Sequence, residues 1–140
     1  MLKRLLLILM MGASACASAQ TWPVKPVKLV IPFTPGGGND SLGRMIGQKL
    51  GEALGQPIVI ENRGGAGATI GTELVAKSPA DGYTILLSSI TTHALAPALY
   101  PKLGYDPIKD FTPIAVIGVA PTVLVVGPHV KAATLPALIA

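Results

Sequence analysis

Three clusters in this chain carry hydrogen-bond donors at spacings suited to holding an anion. Pro35-Gly36-Gly37-Gly38-Asn39-Asp40 follows the apolar run Val27 to Phe33, and Gly64-Gly65-Ala66-Gly67-Ala68 follows Pro57 to Ile60. Each glycine cluster opens straight into a helix-patterned segment. A loop of this kind offers main-chain N–H groups that no preceding helical turn satisfies, at the positive end of a helix dipole, so an anion is its natural partner. The third cluster, Ser88-Ser89-Ile90-Thr91-Thr92-His93, brings hydroxyls and an imidazole after a third apolar run. A site built from these groups donates hydrogen bonds and would accept a carboxylate. Hydrogen bonds to a charged partner contribute about 1.5 to 3 kcal/mol each. Three or four of them, less the cost of association, support roughly micromolar binding.

Individual side chains leave alternatives open. Asp40 either caps the helix that follows it or holds waters that bridge to a ligand. His93 is either a polar contact at the cleft or a structural residue beside Ala94 and Leu95. Arg63 is a counter-ion for a second carboxylate or a solvated rim residue. Enzyme readings are weaker. Glu61 stands about twenty residues after Asp40, where a ribose-binding acid would lie, but Gly36-x-Gly38-x-x-Ser41 lacks the third glycine of a dinucleotide loop. No P-loop lysine follows either cluster. Ser88 or Ser89 with His93 has the residue types of a nucleophile and base, yet no G-x-S-x-G elbow is present. His93 and His129 form no metal constellation. The expectation is a binding protein rather than an enzyme, with no cofactor and no metal.

The clusters need elements to hold them. Val27 to Phe33 is a nearly continuous apolar run of strand length, as in a strand covered on both faces. The next segment has helix signals, with Asn39 or Asp40 as N-cap, Leu42, Met45, Ile46, Leu50 and Leu54 as the inward stripe, and Gly55 as the stop. Gly43, Gly47 and Gly51 recur beside that stripe and permit close approach to a sheet, while Arg44, Gln48 and Glu52 mark the wet face. Pro57 to Ile60 is a second strand, Ala68 to Lys77 a second helix with Ile70, Leu74 and Val75 inward, and Ser78 to Gly82 a turn. Tyr83 to Leu87 is a third strand, and a short helical piece runs from His93 to Tyr100. Thr112 to Val119 and Thr122 to Val126 read as two further strands joined without a helix, which fits a crossing into a second lobe. Strand, glycine loop and helix written twice predict an α/β fold on a mostly parallel sheet, with both loops at its carboxyl edge.

Lys3 and Arg4, the apolar run Leu5 to Met11 and the small residues Ala17-Ser18-Ala19 have the form of a secretory signal peptide over residues 1–19, cleaved after Ala19. Cys16 leaves with it unless it carries a lipid, and Ala13-Ser14-Ala15 lacks the leucine usual at such a site. Without Lys3 and Arg4, nine basic residues face seven acidic ones, so the net charge of +4 is partly a property of the leader. No run of Lys or Arg interleaves with the aromatic residues, and a nucleic-acid partner is not expected. The closing stretch Leu135 to Ala140 reads as a new element just begun, and the expectation is a truncated chain.

Four ordered motifs carry a family resemblance. They are Ile31-Pro-Phe-Thr-Pro-Gly-Gly-Gly-Asn-Asp40, Val59-Ile-Glu-Asn-Arg-Gly-Gly-Ala-Gly67, Ala80-Asp-Gly-Tyr-Thr84 and Tyr105-Asp-Pro-Ile-Lys-Asp-Phe-Thr-Pro-Ile114. Together they closely resemble the Bug, or tripartite tricarboxylate transporter substrate-binding, family of periplasmic receptors. The resemblance implies a type II periplasmic-binding-protein fold, a two-lobed Venus flytrap roughly twice this length. Residues 20–120 would then be an incomplete first lobe and 121–140 the start of the second. It also implies a monomer that binds a small organic carboxylate and passes it to the small and large membrane subunits of a tripartite carrier. The ligand site would draw on Pro35, Gly36, Gly37, Gly38, Asn39 and Asp40, on Gly64, Gly65, Ala66, Gly67 and Ala68, and on Ser88, Ser89, Thr91 and His93. A periplasmic carboxylate sensor and an exported enzyme on the same scaffold are the alternatives.

Overall fold

The computed structural model describes residues 22–121, 123–132 and 134–139, so the leader, Cys16, Gln20 and Thr122 lie outside the described residues. Its centre is a three-stranded parallel sheet in the order β2-β1-β3, with β1 at Val27–Ile31, β2 at Ile58–Asn62 and β3 at Thr84–Leu86. Val27 lies opposite Ile58 and Ile31 opposite Asn62, while Lys28 to Val30 lie opposite Thr84 to Leu86. β1 is central because it is apolar on both faces. Val27, Leu29, Val30 and Ile31 are all buried, and each fully buried aliphatic side chain of this size contributes about 1.5 to 3 kcal/mol.

Alternation along the strands assigns the two faces. Leu29, Ile31 and Leu87 form the buried cluster on one face, joined by Phe33, Ile46, Ile58, Ile60 and Ile85. α1 (Gly38–Leu54) covers that face. α2 (Thr69–Ala76) follows a tight 3-10 turn at Ala66–Ala68 and approaches the other face at Pro32. After β3 the chain forms a π-type turn at Thr91–Leu95 that continues into α3 (Ala96–Leu99), and a last short helix, α4, spans Leu135–Ile139. From β1 the chain steps to β2 on one side and then crosses to β3 on the other. The strand order therefore reverses beside β1, where open α/β sheets bind ligands.

Several expectations change. α1 begins at Gly38 with Gly37 as its N-cap, so neither Asn39 nor Asp40 is the capping residue. The buried stripe of α1 is Gly43 and Gly47 rather than Leu42 and Met45, and Met45 is 65% exposed. A Cβ on Gly47 would stand 2.9 Å from Ile60 Cδ1, so glycines line the closest approach of helix to sheet while Ile46 packs beside them. In α2, Gly71 and Thr72 are the buried residues and Ile70 is 53% exposed, by the same close approach. The strands expected at Thr112 to Val119 and at Thr122 to Val126 are absent among the described residues, which include 123–126 of the second. Both stretches stay unpaired and exposed, Val116 at 89%. An apolar run becomes a strand only where a second edge supplies hydrogen-bond partners, and no described segment pairs with this one.

Candidate functional site

The three strand ends bring the three predicted clusters to one edge of the sheet. The Arg63 N–H donates to Ile31 O at 2.8 Å, and Leu87 N–H to Val30 O at 2.9 Å, so pairing persists up to the loops on both sides of β1. Loop 2 (Gly64–Ala68) abuts the residues that lead into loop 1 (Pro35–Asp40). A Cβ on Gly64 would stand 3.1 Å from Thr34 N, which only glycine permits without displacing main chain. The Ala66–Ala68 turn in turn contacts the π-type turn at Thr91–Leu95. Loop 1, loop 2 and the hydroxyl loop are therefore neighbours.

Loop 1 presents the open end of α1. Ser41 N–H is the first to find an i−4 carbonyl, Gly37 O at 3.0 Å, so the N–H groups of Gly38, Asn39 and Asp40 precede the helical ladder. No side chain caps this end. The Gly36 N–H is different, because it donates to Asp40 Oδ2 at 2.9 Å and is already used. Gly36, with φ 84°, is also the left-handed residue of the loop, whereas Gly37 is extended at φ −83°. Pro35, Gly36, Gly37 and Gly38 are exposed, Asn39 is half-buried, and Asp40 is only 5% exposed.

Asp40 is neither N-cap nor free. Arg44 Nε donates to Oδ2 at 3.1 Å and Asn62 Nδ2 to Oδ1 at 3.0 Å. The Arg44 guanidinium first, then the Gly36 amide and the Asn62 amide, hold its pKa at about 2 against an ordinary 3.8, although burial pushes the other way. Arg44, read from sequence as wet helix surface, is thus part of the loop's support.

In loop 2, Gly64 is half-buried, Gly65, Ala66 and Gly67 are exposed, and Ala68 is buried. Ala66 and Ala68 both take positive φ, 45° and 73°. Thr69 Oγ1 donates to Ala66 O and Thr72 Oγ1 to Ala68 O, each at 2.8 Å, which holds the two unusual residues. Tyr100 lies over this loop, with Oη 2.7 Å from where a Cβ on Gly67 would stand. Arg63 and Lys28 are both paired with Glu61, and together they hold its carboxyl below the usual range, Lys28 contributing most. Glu61 is therefore occupied by two cations, which removes the support for a ribose-binding role.

The hydroxyl loop is knit internally. Ser88 Oγ lies 2.7 Å from His93 Nδ1 and 3.0 Å from Thr92 Oγ1, Thr92 Oγ1 donates to Ser89 O at 2.9 Å, and Thr91 N–H donates to Ser89 Oγ at 3.3 Å. Thr92 is fully buried, which sets it apart from the exposed Ser88. The π-type turn is an uncommon conformation that recurs at functional sites, and Tyr105 fixes it by donating to Thr92 O at 2.7 Å. Phe111 meets the His93 ring edge-on at 4.9 Å and the Tyr105 ring at 5.8 Å. Burial pushes His93 below its ordinary value, so the imidazole is neutral near pH 7. Among the described residues no group of His, Cys, Asp and Glu is arranged to hold a metal.

Sequence reasoning missed Asn62, Tyr100 and Tyr105. Asn62 alone had a signal, as an amide at the carboxyl end of a strand beside a glycine loop.

Comparison with known proteins identifies the family. The pattern of the family described as Tripartite tricarboxylate transporter family receptor matches residues 42–140. Protein BugT of Bordetella pertussis is 45% identical over 130 residues, which are 92% of this chain and 40% of BugT. A solved R. palustris protein with adipate is 43% identical, with a TM-score of 0.77 over 84% of this chain and 40% of that one. MatC from Rhodopseudomonas palustris with bound malate is 47% identical, with a TM-score of 0.63 over 66% of this chain and 31% of that one. The chain thus spans about two fifths of the length of BugT, and its sheet and flanking helices are part of one lobe of the periplasmic-binding-protein fold. With the family pattern matched over residues 42–140 and 45% identity to BugT over 92% of its own length, the chain belongs to the family of tripartite tricarboxylate transporter receptors.

Proposed function

We propose that the protein is a periplasmic solute receptor that captures a small organic carboxylate between two lobes and delivers it to the small and large membrane subunits of a tripartite carrier. One observation carries this reading: the second glycine loop abuts the lead into the first at the point of strand reversal, in a chain of the receptor family. The main-chain donors of Gly38, Asn39 and Asp40, with those of Gly64 to Ala68, would take the carboxylate. Ser88, Ser89, Thr91 and His93 would contact the rest of the ligand. Residues 20–120 would belong to the first lobe and 121–140 to the second, and the mature receptor would be a monomer beginning at Gln20. Intact mass of periplasmic material tests the processing site, and a lipid adduct on Cys16 would contradict it.

Malate and adipate, found with two relatives, are the first probes. Isothermal titration of the full-length receptor that contains this chain with each should give micromolar binding of at least one, with the ligand recovered unchanged. A second reading rests on Ser88 Oγ, which is within hydrogen-bond reach of His93 Nδ1 as a nucleophile and base would be. Proton NMR of the titrated mixture separates the two, because an enzyme would convert its ligand. Absence of binding by both acids, with the protein folded, would contradict the receptor reading for these ligands.

A further inference from the structure

Asn62 occupies an unusual place. It closes β2 opposite Ile31, at the point where both glycine loops leave the sheet. Its Nδ2 donates to Phe33 O at 3.2 Å and to Asp40 Oδ1 at 3.0 Å, and its Oδ1 accepts from Arg44 Nη2 at 3.4 Å. One amide thus bonds the end of the first apolar run, the first turn of α1 and a guanidinium on the next turn. Asp40 closes the circuit by accepting from Gly36 N–H in loop 1. A side chain at the head of loop 2 is therefore wired to the backbone of loop 1.

We propose that Asn62 is a positioning residue that sets loop 1 in register with loop 2, with Asp40 and Arg44 as the parts through which it acts. The chemistry requires an amide. Asp at this position lacks the donor that Asp40 Oδ1 and Phe33 O both use, and would place a second carboxylate beside the first. Leu would leave Phe33 O and Asp40 Oδ1 short of a partner at a part-buried position. The low pKa of Asp40 fits the same circuit, since its three hydrogen bonds all favour the charged form. The functional consequence rests on the reading of the two loops as one carboxylate site, because amides on separate loops hold one anion only when their spacing is fixed.

The test separates the circuit from the site. In the unliganded protein, NMR follows the titration of the Asp40 carboxyl and the exchange of the Gly36 amide in wild type, Asn62→Leu, Asn62→Asp and Arg44→Gln. The expected result is a raised Asp40 midpoint in Asn62→Leu and Arg44→Gln, and Gly36 exchange faster by about tenfold or more in both Asn62 variants. Arg44 is largely exposed, so Arg44→Gln keeps its fold and reads the circuit even if an Asn62 variant does not fold. Unchanged titration and exchange in folded variants would overturn the proposal. Malate and adipate titrations then read the consequence, with affinity falling by about tenfold in the variants whose Gly36 exchange accelerates. Accelerated exchange with unchanged affinity would uphold the circuit and overturn the two-loop site.

Discussion

Replacing Gly71 by Ala is the sharpest probe of how the loops are supported. A Cβ at this position would stand 2.5 Å from Arg63 O, 2.9 Å from Pro32 Cα and 3.0 Å from Pro32 Cβ. A relaxed contact of carbon with a carbonyl oxygen is about 3.3 Å or more, so α2 or the Arg63 peptide must retreat by about 0.8 Å. The main chain there resists, because Arg63 N–H is held on Ile31 O at 2.8 Å as the last rung of the β1–β2 pairing and Gly64 abuts Thr34. Overpacking a rigid site costs about 1 to 3 kcal/mol, and backbone atoms place this case at the upper end. Alanine returns about 1 kcal/mol in helix propensity. The net loss is about 2 kcal/mol, which lowers the melting temperature by roughly 8 to 16 °C for a domain of this size. Gly43→Ala is the control. Its Cβ would meet Ile31 Cδ1 at 2.5 Å and Ile31 Cγ1 and Leu87 Cδ2 at 3.2 Å, all side-chain atoms, which yield more readily than main chain. Its stability should stay within about 1 kcal/mol of wild type. Thermal unfolding followed by circular dichroism, with urea melts to check two-state behaviour, measures both. A Gly71→Ala protein as stable as wild type, or more stable than Gly43→Ala, would refute the argument that α2 is held against loop backbone.

Gly67→Val should weaken malate or adipate binding by at least about tenfold, because valine fits poorly at φ 62° and collides with Tyr100. Gly37→Val should fold normally, since Gly37 is extended and a Cβ there meets only Thr34 O at 3.8 Å, yet it should also reduce binding by crowding the open end of α1; calorimetric titration of both is the measurement, and unaltered affinity in both would remove the two-loop site. Asp40 titrates at about 2 when folded against 3.8 ordinarily, so the stability it contributes is present above pH 3.8 and is lost as pH falls toward 2. Asp40→Asn should flatten the acid side of a urea-midpoint profile over that window. His93 is held below its ordinary 6.5 by burial, so its contribution is full above that value and declines as pH falls through 6.5 toward the folded midpoint; His93→Gln should remove this dependence, seen in melting temperatures measured across pH 5 to 8.

The parallel sheet and the edge where its loops gather were legible because local signals coincide with global ones. Val27 to Ile31 is apolar but for Lys28, a run that suits a central strand, and glycine clusters mark where such strands must turn. The inward faces of the helices were only partly legible: Ile46 packs on the core and the glycines approach the sheet as expected, but Leu42, Met45 and Ile70 lie outside. Periodicity counts large apolar residues as the buried face, but Gly43 and Gly47 bring α1 so near the sheet that small residues line the contact and Met45 is left outside. The 112–126 region was overread, because apolar character sets the propensity for a strand while pairing needs an edge. The circuit of Asp40, Arg44 and Asn62 was hidden, since hydrogen bonds across 18 and 22 residues leave no period in a sequence.

Loop 2 shows why a glycine motif alone under-describes such a site. Four consecutive residues, Gly65 to Ala68, have positive φ, and two of them are alanines. An alanine in the left-handed region costs roughly 1 to 2 kcal/mol, so this turn would not persist on its own. Thr69 and Thr72 hold its carbonyls from the first turns of α2, Tyr100 covers Gly67, and Gly64 abuts Thr34. Strain of this kind survives only where the surroundings over-determine it, and it gathers at ligand clamps. Each of those supports comes from an element that also faces loop 1, the sheet or the π-type turn. Packing α2 against Pro32 therefore fixes the shape of the loop as well as completing the core, and the geometry of the donors is decided by residues that need never touch a ligand.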